Sequence, residues 1–248
     1  MVLYVVYRAS IESTSRSTIP SRLKNLGCQQ LSRAFWRIDE KKVQCVLKIL
    51  EKNQPILLKR LREIKNPKIA KKKEFVGLGS LVVVTFALPK GANREKVRNF
   101  LKKAPCIRLR RSVYAFSQNH EFYEKEPKLV DALKLVNFIK EIKGDVKIMS
   151  RVVIVNRIAA ENVLQETTAR VEKGVVEIVN SCKELYMKAR NSSDHGALRE
   201  RFSRIRRRFL ILKKVTAVYE DWLKMDFSKI LMRAYHALRK VYSVIKLK

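Results

Sequence analysis

Short apolar runs rich in β-branched and aromatic residues, Val2 to Tyr7 and Leu81 to Leu88, are each bounded by turn-forming residues, the mark of buried strands. After the first run, Ser17 or Thr18 followed by Pro20 starts a short helix that ends at Gly27. Gln30 to Ile38 then alternates, with Leu31, Arg33, Phe35 and Arg37 on one face and Ser32, Ala34, Trp36 and Ile38 on the other, which predicts one half-buried strand. Asp39 can cap a helix whose Val43, Val46, Leu47 and Leu50 form an amphipathic stripe, and Ile56 to Ile64 returns as a strand. The order then repeats. A helix from about Asn93 to Lys103 follows the second run, then a strand from Ile107 to Ser117, a helix from Leu129 to Lys143 ended by Gly144, and a strand from Val146 to Val155.

"QQLSRAFWRID" in the first half lies over "RLRRSVYAFS" in the second at nearly the offset of the two opening strands, so the pattern reads as a tandem duplication. From about Asn156 the period changes from 2 to 3.6. Leu164, Val171, Val175, Ile178, Cys182, Leu185 and Ala189 make one stripe, Leu198, Phe202, Ile205, Phe209 and Leu212 a second, and Ile230, Ala234, Leu238, Val241 and Ile245 a third. "NSSDHG" and the Met225 to Asp226 junction break the pattern, which predicts three antiparallel helices. The expected fold class is α+β: two tandem ferredoxin-like (split βαβ) units at 1–66 and 80–156, a basic linker at 67–79, and a three-helix basic region at 157–248.

Charge changes the picture more than any motif. Of 248 residues, 55 are Lys or Arg and 23 are Asp or Glu, a formal net charge of +32. Such an excess repels itself unless a polyanion neutralises it, and nucleic acid is the commonest polyanion in a cell. An ordinary solvated surface would carry acids in similar number. No run approaches the roughly 18 uncharged apolar residues of a membrane span, because Arg8 interrupts the apolar start, so no membrane partner is expected. Cys28, Cys45, Cys106 and Cys182 lie far apart with no CxxC, and read as small apolar residues in a reducing interior. With few glycines and many Lys, Arg and Val, the composition leans towards an archaeal or thermophilic source.

Two resemblances can be set on particular residues. "VLYVVYR" and "LKNLGCQQLSRAFWRID" resemble the small CRISPR-associated adaptation protein that pairs with the integrase, and the related domain of phenylacetate-type repressors. "LVVVTFALPKGANREKVRNFLKK", "IRLRRSVYAF" and "ALRERFSRIRRRF" are similar to the N-terminal region of chromate-resistance regulators. The resemblances imply a ferredoxin-like fold and DNA as partner. In the adaptation family an aspartate at the end of the first strand is the proposed nuclease metal ligand. Arg8 stands there in this chain, and Phe86 or Ala87 in the second copy, so a carboxylate-bound metal is not expected in either half.

The candidate interface centres on Arg199, Arg201, Arg204, Arg206, Arg207, Arg208, Lys213 and Lys214. Arg199, Arg206 and Lys213 recur every seven residues, and Arg201, Arg204 and Arg208 form an adjoining stripe, while Leu198, Phe202, Ile205 and Phe209 face the core. Guanidinium groups in such a row can fork onto successive phosphates. Only Glu200 supplies the opposite sign within the run, which favours binding over a solvated, ion-paired face. Lys71, Lys72 and Lys73 add a basic linker surface. Arg108 and Arg110 with Tyr114 and Phe116, matched by Arg33 and Arg37 around Phe35, are a second nucleic-acid-binding candidate suited to stacking on bases, although the aromatics are better read as core where the sheet faces of the two halves pack together. His120, His195 and His236 have no partner at catalytic or metal spacing, and Glu121, Glu124 and Glu126 read as a loop that offsets nearby lysines.

The sequence therefore predicts a non-catalytic protein of the cell interior, nucleoid or ribosome associated, that binds duplex DNA through its phosphate backbone in a regulatory or architectural role. A structured RNA or the ribosome is the alternative partner, and a metal-dependent nuclease or toxin-like enzyme the second alternative. No cofactor is expected, and a homodimer stays open.

Overall fold

A computed structural model describes residues 2–8, 18–32, 34–69, 75–119, 121–124, 126–191 and 195–246. The fold is α+β, an antiparallel eight-stranded sheet followed by long helices. The first half runs β1 (Leu3–Val6), α1 (Thr18–Asn25), β2 (Gln29–Ser32), β3 (Phe35–Ile38), α2 (Val43–Leu50) and β4 (Ile56–Arg60). A short ladder of β5 (Lys68–Ile69) and β6 (Phe75–Gly77) lies in the expected linker. The second half runs β7 (Leu81–Ala87), α3 (Arg94–Lys102), β8 (Cys106–Arg110), β9 (Val113–Ser117), the short α4 (Glu121–Glu124), α5 (Ala132–Glu141) and β10 (Asp145–Ile154). The chain then forms α6 (Arg157–Asn191), α7 (His195–Leu223) and α8 (Ser228–Lys246), the helical region that the change of period predicts.

Each of the expected middle strands is in fact a hairpin. Gln30 to Ile38 divides into β2 and β3 with only positions 33 and 34 between them, and Ile107 to Ser117 divides into β8 and β9 across Arg111 and Ser112. Neither reversal carries the Gly or Asn that usually marks a tight turn, and Ser112 itself takes the left-handed backbone, φ 64°. Alternation carries on through both turns, so the pattern alone shows no break. The sheet order is β2-β3-β1-β4-β10-β7-β9-β8. The last strands of the two halves join edge to edge, with Val152 opposite Arg60 and Ile154 opposite Leu58.

That junction overturns the expectation that the two sheet faces pack on each other. One face is covered by helices of its own half: Leu3, Val5, Trp36 and Leu57 meet Leu23, Val46 and Leu50, and Val84, Phe86 and Phe116 meet Val97, Leu135 and Ile139. The other face is continuous across both halves. Tyr4, Val6, Phe35, Leu58, Leu81, Val83, Ile107 and Ala115 pack there against Val163 and Val171 of α6 and Val215, Tyr219 and Trp222 of α7. Strand alternation shows that a face is apolar but not what covers it.

Polar contacts fix this cover. Tyr219 donates its hydroxyl hydrogen to the Cys106 carbonyl (2.7 Å), and the Trp222 indole donates to the Leu78 carbonyl (3.2 Å). The Arg170 guanidinium donates to the carbonyls of Cys106 (2.7 Å), at the start of β8, and Leu101 (2.8 Å), in the last turn of α3. Before β7, Gly79 has φ 72°, and a Cβ there would lie 2.7 Å from the Pro67 nitrogen, so the chain passes closer than any side chain allows.

Among the described residues, Cys28, Cys106 and Cys182 are buried and Cys45 is exposed. Burial raises the buried thiols, Cys182 to about 11. A thiol reagent at mildly alkaline pH is expected to modify Cys45 at once and the other cysteines only after unfolding. Rapid loss of all the thiols from the native protein would contradict the packing described.

Beyond the sheet, α6, α7 and α8 close their own core from Val175, Ile178, Cys182, Leu185, Leu198, Ile205, Phe209, Ala234, Leu238 and Val241. At 35 residues, α6 is about 50 Å long. Its first turns lie on the sheet and its last turns belong to this bundle, which places the basic stretch of α7 on a helical arm. No helix among the described residues is long and apolar enough to cross a membrane.

Candidate nucleic-acid interface

The arm begins with the seven-residue spacing of α7. Leu198, Ile205 and Phe209 are buried in the bundle, and Arg199, Arg204, Arg206, Arg207, Arg208 and Lys213 are exposed around them. Folding divides these cations into two sets. Arg201 meets Glu184 of α6 at 2.9 Å, Arg208 meets Glu177 of α6 at 3.2 Å, Arg204 meets Glu200 at 3.3 Å, and Lys214 meets Glu126. The expectation that Glu200 alone offers the opposite sign is therefore corrected by α6 and by the segment before α5. Carboxylates that are remote in sequence become neighbours once α7 folds back along α6.

Arg199, Arg206, Arg207 and Lys213 have no carboxylate at ion-pair distance among the described residues. The first two and Lys213 share one flank, turned towards α8, because Phe202 lies between Arg199 and Arg206 on that flank and meets Tyr242 of α8 with ring centroids 5.8 Å apart. Arg201 and Arg208 share the opposite flank, where their carboxylates are on α6. Exposed pairs of this kind contribute about 0–1 kcal/mol. A phosphate can therefore displace them at little cost, whereas the unpaired flank is ready as it stands.

The strand candidates do not come together. Arg108 is exposed on β8 opposite the half-buried Tyr114, whose ring stacks on Phe86 at 5.8 Å, on the face covered by α3 and α5. Phe116 is fully buried. A register shift between Arg108 and Arg110 turns Arg110 away, and its guanidinium donates to the carbonyls of Leu109 and of Gln54 in the first half. Burial lowers the Arg110 pKa from the ordinary arginine value, with Arg8 adding to the effect and Glu166 opposing it. Arg110 thus clasps the two halves, and Phe35 lies in the core beneath the helices. Arg37 is exposed. Lys71, Lys72, Lys73, Arg33 and His120 lie outside the described residues.

No protein-family model, characterised protein or solved structure matches this chain. Chemistry must therefore be sought in the side chains themselves. Among the described residues no group of three His, Cys, Asp or Glu side chains converges as a metal site. Arg8 follows β1 and is exposed, its backbone paired with Asn53. His195 opens α7 and His236 is exposed on α8, while Glu121 and Glu124 are exposed on α4.

The third helix is where the apolar stripe places it, but its outer face is not among the residues that the sequence singles out for binding. "SKILMRAYHALRKVYSVIK" contains Lys229, Arg233, Arg239, Lys240 and Lys246 and no acid. The signal was the seven-residue step from Tyr235 to Tyr242 with Arg239 between them, but three apolar stripes drew attention to the core instead of the outer face. Among the exposed large apolar and aromatic residues, Tyr235 and Tyr242 are both on this helix.

Proposed function

We propose that the chain is a non-catalytic nucleic-acid-binding protein that grips a phosphate backbone with the helical arm, duplex DNA being the first partner to test. The observation that supports this most is the unpaired flank of Arg199, Arg206 and Lys213 on a protein of net charge +32. A row of cations at one-heptad spacing on a stiff helix meets a polyanion without ordering a loop first, so little conformational entropy is lost on binding. The two halves are proposed as tandem ferredoxin-like units. In each, a strand-helix-strand-strand-helix-strand order lays its strands second, third, first, fourth across the sheet, which supports that reading.

Backbone contact does not by itself separate DNA from RNA, so a structured RNA helix belongs in the same titration. Log affinity for a random-sequence duplex is expected to fall linearly with log salt, with a slope of about −0.9 per phosphate neutralised and roughly six to ten contacts. Binding that ignores salt between about 50 and 200 mM would refute the proposal. Cleavage of either substrate that depends on added magnesium or manganese would favour the nuclease reading instead.

A further inference from the structure

We propose that the α7–α8 edge of the arm is a stacking strip for unpaired bases, so that the protein engages single-stranded nucleic acid there. This rests on the backbone-binding reading above. The ring contact of Phe202 with Tyr242 shows that these flanks of the two helices lie side by side, while the buried core of the bundle holds the helices together. Arg199 precedes Phe202 by three residues and Arg206 follows it by four, which keeps both on the same flank of α7. On α8, Arg239 precedes Tyr242 by three residues and follows Tyr235 by four, so both tyrosines and this arginine share one flank. The two flanks meet along one seam. There Tyr235 is 47% exposed and Tyr242 51%.

The tyrosine on the other seam behaves differently. Tyr186 has the Arg190 guanidinium 5.1 Å and the Lys240 ammonium 5.0 Å from its ring centroid, so cations of the protein already occupy its faces. No such contact covers Tyr235 or Tyr242 among the described residues, and Tyr235 has only the edge of His236 beside it. Seven residues of helix separate the two rings by about 10 Å, about three stacked base steps. Each can take its own base of one strand, while Arg199, Arg206 and Arg239 track the phosphates between. A paired duplex keeps its base faces inside the stack and cannot use the rings. DNA and RNA strands share the base-and-phosphate chemistry required.

The test is a four-way comparison at fixed salt, using oligo-dT and oligo-U long enough to span both rings, a DNA duplex and an RNA duplex. The double variant Tyr235→Ala, Tyr242→Ala is expected to lose about ten-fold or more in affinity for the single strands. Its salt slope should not change, since no charge is removed, and its duplex affinity should not change either. Tyr235→Phe with Tyr242→Phe should retain single-strand binding, because a phenyl face stacks as well. Tyr242→Trp adds a reporter outside the core, where Trp36 and Trp222 are buried. Its fluorescence should be quenched by oligo-dT or oligo-U but not by duplex. The strip is refuted if the alanine pair binds single strands as the parent does, or if it loses single strands and duplexes equally. Backbone binding would still stand in the first outcome, since it is tested separately, by the salt dependence above and by the Arg199, Arg206 and Lys213 substitutions described below. Loss of an oligo-dT signal with retained oligo-U binding would assign the strip to RNA.

Discussion

Replacing Arg199, Arg206 and Lys213 together by Gln is expected to weaken binding to every nucleic acid by about two orders of magnitude at physiological salt and to flatten the salt slope by about three units. All three are exposed on one flank of α7 and have no carboxylate at ion-pair distance among the described residues. Gln nearly matches Arg and Lys in helix propensity, so the fold should survive, and circular dichroism and the melting curve provide the control. Each phosphate contact contributes about 0.9 to the slope, which at about 0.15 M salt is close to a five-fold effect, and three contacts multiply. Specificity between sequences should not move, because a backbone contact carries no base information. Replacing Arg201 and Arg208 should cost less affinity. Their partners Glu184 and Glu177 already neutralise them. If the triple variant is folded and binds with unaltered affinity and slope, α7 is a solvated face and the linker lysines become the better candidates.

Much of the architecture was legible because it rests on periodicity. The strands at Leu3–Val6 and Leu81–Ala87, the helices on Val43–Leu50 and Ala132–Glu141, and the change to three long helices all follow from residues that must be buried at period 2 or 3.6. The two hairpins were not legible, since their turns use residues at 33 and 34 and at Arg111 and Ser112 without a glycine, and the alternation continues across them. Tertiary partners were equally hidden. Nothing in the order of residues says that Glu177 and Glu184 neutralise Arg208 and Arg201, or that α6 and α7 cover the sheet where the halves were expected to face each other. For the same reason Arg110 read as a binding residue although it spans the junction to the Gln54 carbonyl. The charged row on α7 could be read directly because seven-residue spacing is a property of the chain alone. The tyrosine seam needed the α7–α8 alignment.

Trp222→Ala is expected to destabilise the protein by about 3–5 kcal/mol and to lower its melting temperature by about 10 °C or more. Trp222 is 2% exposed in the core shared by the sheet and the C-terminal helices, beside Tyr219 at 6.5 Å between ring centroids. Truncation leaves a cavity that the surrounding strands, paired on both sides, cannot close, and it also deprives the Leu78 carbonyl of its donor. Trp222→Phe separates these effects, since it keeps most of the apolar area and loses the hydrogen bond, and should cost about 1–2 kcal/mol. The consequence for binding follows from the continuity of α7, which carries Arg199 and Arg206 at one end and Trp222 at the other. Loosening the sheet end should raise hydrogen exchange in the last turns of α7 and around Leu78, while the distal bundle, closed by Phe209, Leu238 and Val241, retains its protection. The Phe variant should therefore bind with an unchanged salt slope, because the cations keep their spacing on an intact helix. If Trp222→Ala melts within about 1 kcal/mol of the parent, the end of α7 does not share the sheet core, and the arm is anchored through Arg170 and Tyr219 instead.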